Sequence, residues 1–130
     1  MQTILMLTVA LHVLSGIFWA GSTFVLARIG GAGAQQLARP QMGAAALAVL
    51  TGGILWNLVH ARSFQPQEQL LALGAFCAII AAGVQGASAA RMRLAHSNSA
   101  PSAGSLMLPH RAAAALLAVT VICMASARYV

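Results

Sequence analysis

Residues 3–27 read TILMLTVALHVLSGIFWAGSTFVLA, an apolar stretch that contains no Asp, Glu, Lys or Arg. A helix needs about 20 apolar residues to cross the hydrocarbon core of a bilayer. Because no water is present there to pair with backbone amides, an apolar stretch of this length must be helical inside a membrane. The stretch therefore predicts a transmembrane helix at the start of the chain.

Three further stretches have the same character, at residues 42–60, 69–90 and 111–128, and charged side chains stand almost only at their ends. Of the 130 residues, 60% are hydrophobic and 6% are charged. A chain of this length has room for four spans and short connections but not for a separate soluble domain. We therefore predict an all-α integral membrane protein, a four-transmembrane-helix bundle that forms one domain over residues 1–130.

The basic side chains other than histidine are all arginines, and they flank the apolar stretches. We interpret them as topology determinants and contacts to membrane lipids, which argues against a nucleic-acid partner. Those in connections 1 and 3 are Arg28, Arg39, Arg91, Arg93 and Arg111, whereas only Arg62 and Arg128 lie elsewhere. Since cytoplasmic connections carry the excess of arginine, the predicted location is a bacterial inner membrane with both termini periplasmic.

His12 is the residue that most needs an explanation, because an ionisable side chain inside a span is costly and usually faces the bundle or a cofactor. A neutral imidazole can offer one lone pair to a metal while its other nitrogen donates to an oxygen. Gly16, one turn further on, would let a flat macrocycle lie against the helix. Two interpretations stay open: a metal or haem ligand, and a structural histidine bonded to a neighbouring helix.

Other side chains with ligand chemistry lie towards the ends of the spans. His60 closes the second stretch and is either an interfacial residue or a ligand. Met124 and Met6 lie near the outer ends of the fourth and first spans. Thioethers bind Cu(I) or complete a haem iron site, although methionine in an apolar helix usually only packs. His96 and His110, in or beside connection 3, are expected on the solvated surface.

Helix packing is indicated by small and amide side chains. The third stretch carries a ladder with four-residue spacing, composed of Gly74, Ala78, Ala82 and Gly86. Such a ladder lets two helices approach closely in lipid. Gln85 and Asn57 are expected to join helices by hydrogen bonds, and Glu68, the only acidic residue, should complement the dipole of the third helix. Residues 93–110, rich in Ser, Ala, Asn and Pro, are expected to form a connection that is the most mobile segment of the chain.

Several classes of function lack their usual residues. No carboxylate lies within a span, which argues against a proton-coupled carrier of the usual design. No phosphate-binding loop and no Ser/His/Asp set occur, so a hydrolase or an ATP-driven machine is excluded. Cys77 and Cys123 lie in different spans without CxxC spacing, so we expect buried free thiols.

Parts of the first two stretches resemble a known kind of membrane protein. The first has Leu-His at 11–12, Phe-Trp-Ala-Gly at 18–21 and Arg28, and the second has Pro40 followed by Leu-Thr-Gly at 50–52. Over about the first 55 residues this pattern is similar to the copper-resistance protein D domain and the bacterial membrane protoporphyrinogen oxidase. In the oxidase family the histidine that matches His12 is associated with haem b.

The oxidase pattern also has a histidine and a lysine in a later helix. This chain has no lysine, and its third stretch has no histidine. The resemblance therefore implies haem binding rather than oxidase activity. The resulting hypothesis is a membrane protein that binds haem b and transfers electrons near the periplasmic face. Its site would contain His12, Gly16 and Trp19, with His60 or Met124 as the second ligand.

Two other classes of function stay open. The first is a copper-handling protein that uses His12 with Met6, Met124 or Cys123. The second is a non-catalytic accessory subunit that packs on a larger membrane complex or forms a homo-oligomer. Whether the protein is an enzyme is not indicated by any of these residues.

Overall fold

The computed structural model describes residues 2–59, 65–95 and 103–130, and these residues form long α-helices. Helix α1 spans Gln2–Arg28, α2 spans Ala34–Val59, α3 spans Pro66–Ala95 and α4 spans Ala103–Ser126, and a 3₁₀ turn follows at Ala127–Tyr129. The described residues contain no strand. All four helices are long and apolar enough to cross a membrane. The predicted all-α, four-transmembrane-helix architecture is confirmed.

Helix α2 begins at Ala34, well before the predicted start at residue 42, and it continues through Pro40. The predicted residues 42–60 are the apolar stretch, and the helix continues before it because a helix can extend beyond the hydrocarbon core where it can pack. Ala34 is buried and packs with Leu26 of α1 and Met92 of α3. The helix continues although proline removes one backbone hydrogen bond.

Helix α4 likewise begins before the predicted position, at Ala103 instead of residue 111. Helix α3 in turn extends to Ala95. Residues 93–110, which were expected to form one long connection, are therefore largely helical where the structure describes them. The reason is that Ser and Pro make a segment less apolar without preventing a helix here, while Ala favours one.

Three glycines end helix α1, as the sequence predicts. The Gly31 N–H donates to the carbonyl oxygen of Leu26 at 2.8 Å, which is the long bond of a helix C-terminal motif. Gly30, Gly31 and Gly33 have φ angles of 67°, 83° and 78°. L-residues with a side chain rarely adopt this left-handed region, so the tight turn into α2 requires glycine.

The start of helix α3 is capped by its own side chain. Pro66 occupies the first helical position, where no backbone N–H is needed. The Gln65 N–H donates to the Glu68 carboxylate, and the Gln65 carbonyl oxygen accepts from the Glu68 N–H at 2.9 Å. Glu68 is buried and lies in the first turn, where its charge complements the helix dipole as predicted.

The four helices form a ring in the order α1, α2, α3, α4, and each packs on two neighbours. The α1–α2 and α3–α4 seams are the most extensive, and α1 lies diagonally opposite α3. The bundle core consists mainly of alanines around one tryptophan: Trp19, Ala44, Ala45, Ala48, Ala78, Ala81, Ala113 and Leu117. Because alanine side chains are short, the helix backbones approach closely.

The small-residue ladder of α3 packs against other helices. A Cβ added at Gly74 would lie 3.2 Å from the Cβ of Cys123 in α4, closer than ordinary contact. The Thr120 hydroxyl of α4 also donates to the Gly74 carbonyl oxygen at 3.0 Å. Ala78 is part of the core, and Ala82 packs against it. The predicted close packing is confirmed, with α4 as the main partner.

Large apolar side chains cover the outside of the bundle. Leu14, Phe76 and Ile122 are 67%, 61% and 63% exposed. Soluble proteins rarely expose extended apolar surfaces, whereas a protein in lipid needs them. The outer surface thus agrees with a bundle that is surrounded by acyl chains.

Candidate functional site

His12 lies in the span of α1, and its ring contacts α2. Its Nδ1 is 2.9 Å from the Ala48 carbonyl oxygen and 3.1 Å from the Thr51 Oγ1. A carbonyl oxygen can only accept, so Nδ1 carries a proton and donates it. The Thr51 hydroxyl donates to the Leu47 carbonyl oxygen at 2.6 Å, which leaves its own lone pair to accept from the histidine.

This bond determines the tautomer of the neutral His12 ring. With the proton on Nδ1, the other ring nitrogen, Nε2, carries a lone pair. Histidines that bind metals almost always donate their second N–H to a carbonyl, carboxylate or water, which orients the ring and raises its basicity. The ring is therefore held in the form that an iron or copper ligand requires. The same bond also joins α1 to α2, so the structural interpretation of His12 holds as well.

Two glycines determine the space around the His12 ring. A Cβ at Gly52 would lie 3.1 Å from the His12 Cε1, so only glycine lets the ring approach α2 this closely. A Cβ at Gly16 would meet no heavy atom within 4 Å. Both His12 and Gly16 are half-buried. The free lone pair of Nε2 and the open space at Gly16 fit a planar group bound to this ring.

Trp19, which the sequence assigned to the cofactor, points into the bundle interior. It is 3% exposed, and its Nε1–H donates to the Gln85 Oε1 at 2.6 Å. This bond runs between the diagonally opposite helices α1 and α3. Trp19 thus joins helices and fills the core, a role that its spacing from His12 did not indicate.

Thr23 is the centre of a buried hydrogen-bond network around Trp19. Its hydroxyl donates to the Trp19 carbonyl oxygen at 2.7 Å. The same oxygen accepts from the Gln41 Nε2 at 2.8 Å and from the Gln85 Nε2 at 2.7 Å. These four residues join α1, α2 and α3, so the prediction that Gln85 links helices is confirmed. Since the network is internally satisfied, it contributes rigidity and offers no open coordination position at Thr23.

The other predicted ligands form no hydrogen bond with His12 in the part of the chain that the structure describes. Met124 and Cys123 pack against the first glycine of the α3 ladder, on the α3–α4 seam. Met6 is 66% exposed. His60 lies outside the described residues. Within those residues, no group of three or more His, Cys, Asp or Glu side chains is placed to hold a metal ion.

Two smaller sequence expectations concern the cysteines and Asn57. Cys77 and Cys123 are free and buried, as predicted. Among the described residues, the Asn57 amide donates to the Gly53 carbonyl oxygen at 2.9 Å within α2 itself, so the expectation that Asn57 links two helices stays a prediction. Its exposed position near the helix end lets it use this local acceptor.

His110 is a buried polar residue that the sequence analysis missed. It is 4% exposed, and its ring nitrogens have no hydrogen-bond partner among the described residues. The expectation of a solvated surface position was wrong because α4 begins early and carries His110 inside the bundle. Burial could have been predicted from the helical spacing of His110 from Ala113, Ala114 and Leu117, which share the buried face of α4. His96, its companion in that expectation, lies outside the described residues.

Comparison with known proteins identifies no relative: no protein-family model matches the chain, and no curated protein or solved structure matches it either. The resemblance of the first two helices to haem-binding membrane families therefore stays a prediction.

Proposed function

We propose that this chain is a haem b protein of the membrane in which the His12 Nε2 would bind the iron. The observation that carries the proposal is the bond from the His12 Nδ1–H to the Ala48 carbonyl oxygen at 2.9 Å. It keeps a proton on Nδ1 and a lone pair on Nε2, which is the ligand form of imidazole. Bound haem b would supply one-electron transfer.

The surrounding residues have separate roles in this proposal. Ala48 and Thr51 accept from Nδ1 and so hold the ring in one orientation. Gly16 leaves open space one turn away, where a side chain would obstruct a flat ring. His60 is our proposed second ligand and Met124 the alternative. A spectrum of the His60→Ala variant distinguishes them, since loss of the six-coordinate low-spin form would identify His60.

The distribution of the arginines indicates which side of the membrane the proposed haem is nearer. We infer a bacterial inner membrane with the five-arginine end of the bundle in the cytoplasm and both termini in the periplasm. His12 lies about 15 Å along α1 from Gln2 and about 24 Å from Arg28, at 1.5 Å per residue. The proposed haem is therefore nearer the periplasmic face, where it would exchange electrons with a periplasmic partner or within a larger membrane complex.

The test is the absorption spectrum of protein purified in detergent from a haem-sufficient host. We expect a Soret band in the wild type, its loss in His12→Ala and its retention in the control His96→Ala. Wild-type protein without haem would overturn the proposal. Bound copper in that sample would then support the copper-handling alternative. Protein that contains neither haem nor copper would support the accessory-subunit alternative.

A further inference from the structure

The α2–α3 seam, looser than its α1–α2 and α3–α4 counterparts, opens into a groove at the arginine-rich end of the bundle. The groove has two adjoining parts of about 480 and 520 Å³, and both are bordered by Ala89 and Arg93. The outer part lies beside Arg39 of α2. The inner part extends between Met42 and Gly86, about 10 Å deeper than Arg93 along α3.

The mouth of the groove is positively charged. Arg39 and Arg93 border it from two different helices, and both are exposed. The only acidic side chain of the chain is Glu68, which lies at the opposite end of α3, about 37 Å from Arg93 along the helix. No carboxylate side chain of this chain can therefore balance the charge of the two guanidinium groups. An anion that binds from outside the chain would balance it.

The inner part of the groove is apolar and open to the side. A Cβ at Gly86 would lie 3.6 Å from the Met42 Cε, which is ordinary contact, so these two residues border the channel from α3 and α2. Ala90 and Leu94 border this channel and are exposed. Because this region faces lipid in a membrane-spanning bundle, an acyl chain is the occupant that its surface fits.

We propose that this groove binds one anionic phospholipid. Its phosphate lies between Arg39 and Arg93, and an acyl chain follows the channel past Met42, Gly86 and Ala90. Guanidinium groups bind phosphate oxygens in a fixed two-pronged geometry, and basic pockets between transmembrane helices hold anionic headgroups. The apolar channel that continues from the charged mouth distinguishes a phospholipid from free phosphate.

The test measures thermal unfolding of the full chain in detergent with increasing phosphatidylglycerol or phosphatidylcholine. We expect phosphatidylglycerol to raise the unfolding midpoint and phosphatidylcholine to leave it unchanged. Arg39→Gln and Arg93→Gln should each weaken the apparent affinity about fivefold. Arg91→Gln is the matched control, since Arg91 is exposed on the same helix but does not border the groove.

A second pair of variants tests the acyl channel. Ala90→Phe should block it and abolish the phosphatidylglycerol shift, whereas Ala87→Phe, at an exposed position of α3 that does not border the groove, should preserve the shift. Both positions are exposed, and the midpoint without added lipid checks that each variant folds. Three results would overturn the proposal: an equal shift with inorganic phosphate, an equal loss in Arg91→Gln, or an unchanged shift in Ala90→Phe.

Discussion

Replacing Thr23 by valine removes the centre of the buried network while keeping the shape of the side chain. Thr23 is fully buried, and its oxygen accepts from the amides of Gln41 and Gln85. In Thr23→Val both amide N–H groups lose this acceptor inside the bundle. Measured side-chain hydrogen bonds in membrane proteins are worth about 0.6 kcal/mol on average and about 1.7 at most. The two lost bonds between helices therefore predict a destabilisation of about 1 to 3 kcal/mol, beyond the effect of the lost bond from Thr23 to the Trp19 carbonyl oxygen within α1.

The matched control is Thr8→Val, on the same helix. The Thr8 hydroxyl only donates to the Ile4 carbonyl oxygen at 2.8 Å, an exposed bond within α1. Its loss should change the free energy of unfolding by less than about 0.5 kcal/mol. The assay is equilibrium unfolding in mixed micelles with increasing denaturing detergent, followed by circular dichroism. If Thr23→Val and Thr8→Val unfold at the same point, the network does not stabilise the bundle.

A second substitution separates lost bonds from altered packing. In the wild type, Gln41→Leu should destabilise because it removes a donor to Thr23. In the Thr23→Val background the same change should cost less, because it removes an amide that already lacks this acceptor. Additive effects of the two substitutions would show that Gln41 and Thr23 are not coupled.

Three further predictions concern packing and topology. Ala82→Leu should lower the thermal midpoint because a larger side chain separates α3 from the core. The exposed control Ala87→Leu should not lower it. Equal melting of Ala82→Leu and wild type would show that the small-residue ladder does not stabilise helix packing. His110→Leu should raise the midpoint, since it removes a buried ring without a described partner at a cost of about 1 to 3 kcal/mol; a lower midpoint would mean that the ring has a partner. Reporter fusions should place both termini in the periplasm, and a cytoplasmic C-terminus would refute the arginine-based orientation.

The fold was predictable because a bilayer reduces the possible structures to very few. An apolar stretch such as residues 3–27 can satisfy its backbone there only as a helix. Apolar composition indicates the membrane-spanning part of a helix and not its full length. It therefore did not indicate that Ala34 and Ala103 lie in segments that stay helical beyond the apolar stretches. The glycine end of α1 was predictable from local chemistry alone, since Gly30 and Gly31 adopt conformations that other residues avoid.

The candidate site was predictable only in part. An imidazole inside a span indicated that His12 has a polar partner, but Ala48 and Thr51 are distant in sequence and depend on how α2 is rotated. Trp19 shares a face with His12 in the sequence, yet its partner Gln85 lies on the opposite helix. Such pairings are determined by tertiary packing, and the spacing of residues within one helix does not predict it.

Chemical rescue of His12 tests iron ligation most directly. In His12→Gly, the ring is absent and free imidazole can occupy its space, while glycine costs the helix about 1 kcal/mol. Circular dichroism must first show that the variant is folded in detergent. We predict that it binds no haem by itself and that added imidazole restores the Soret band of the wild type. Retention of the full wild-type spectrum without imidazole would contradict ligation by His12, as would a folded variant that imidazole fails to restore.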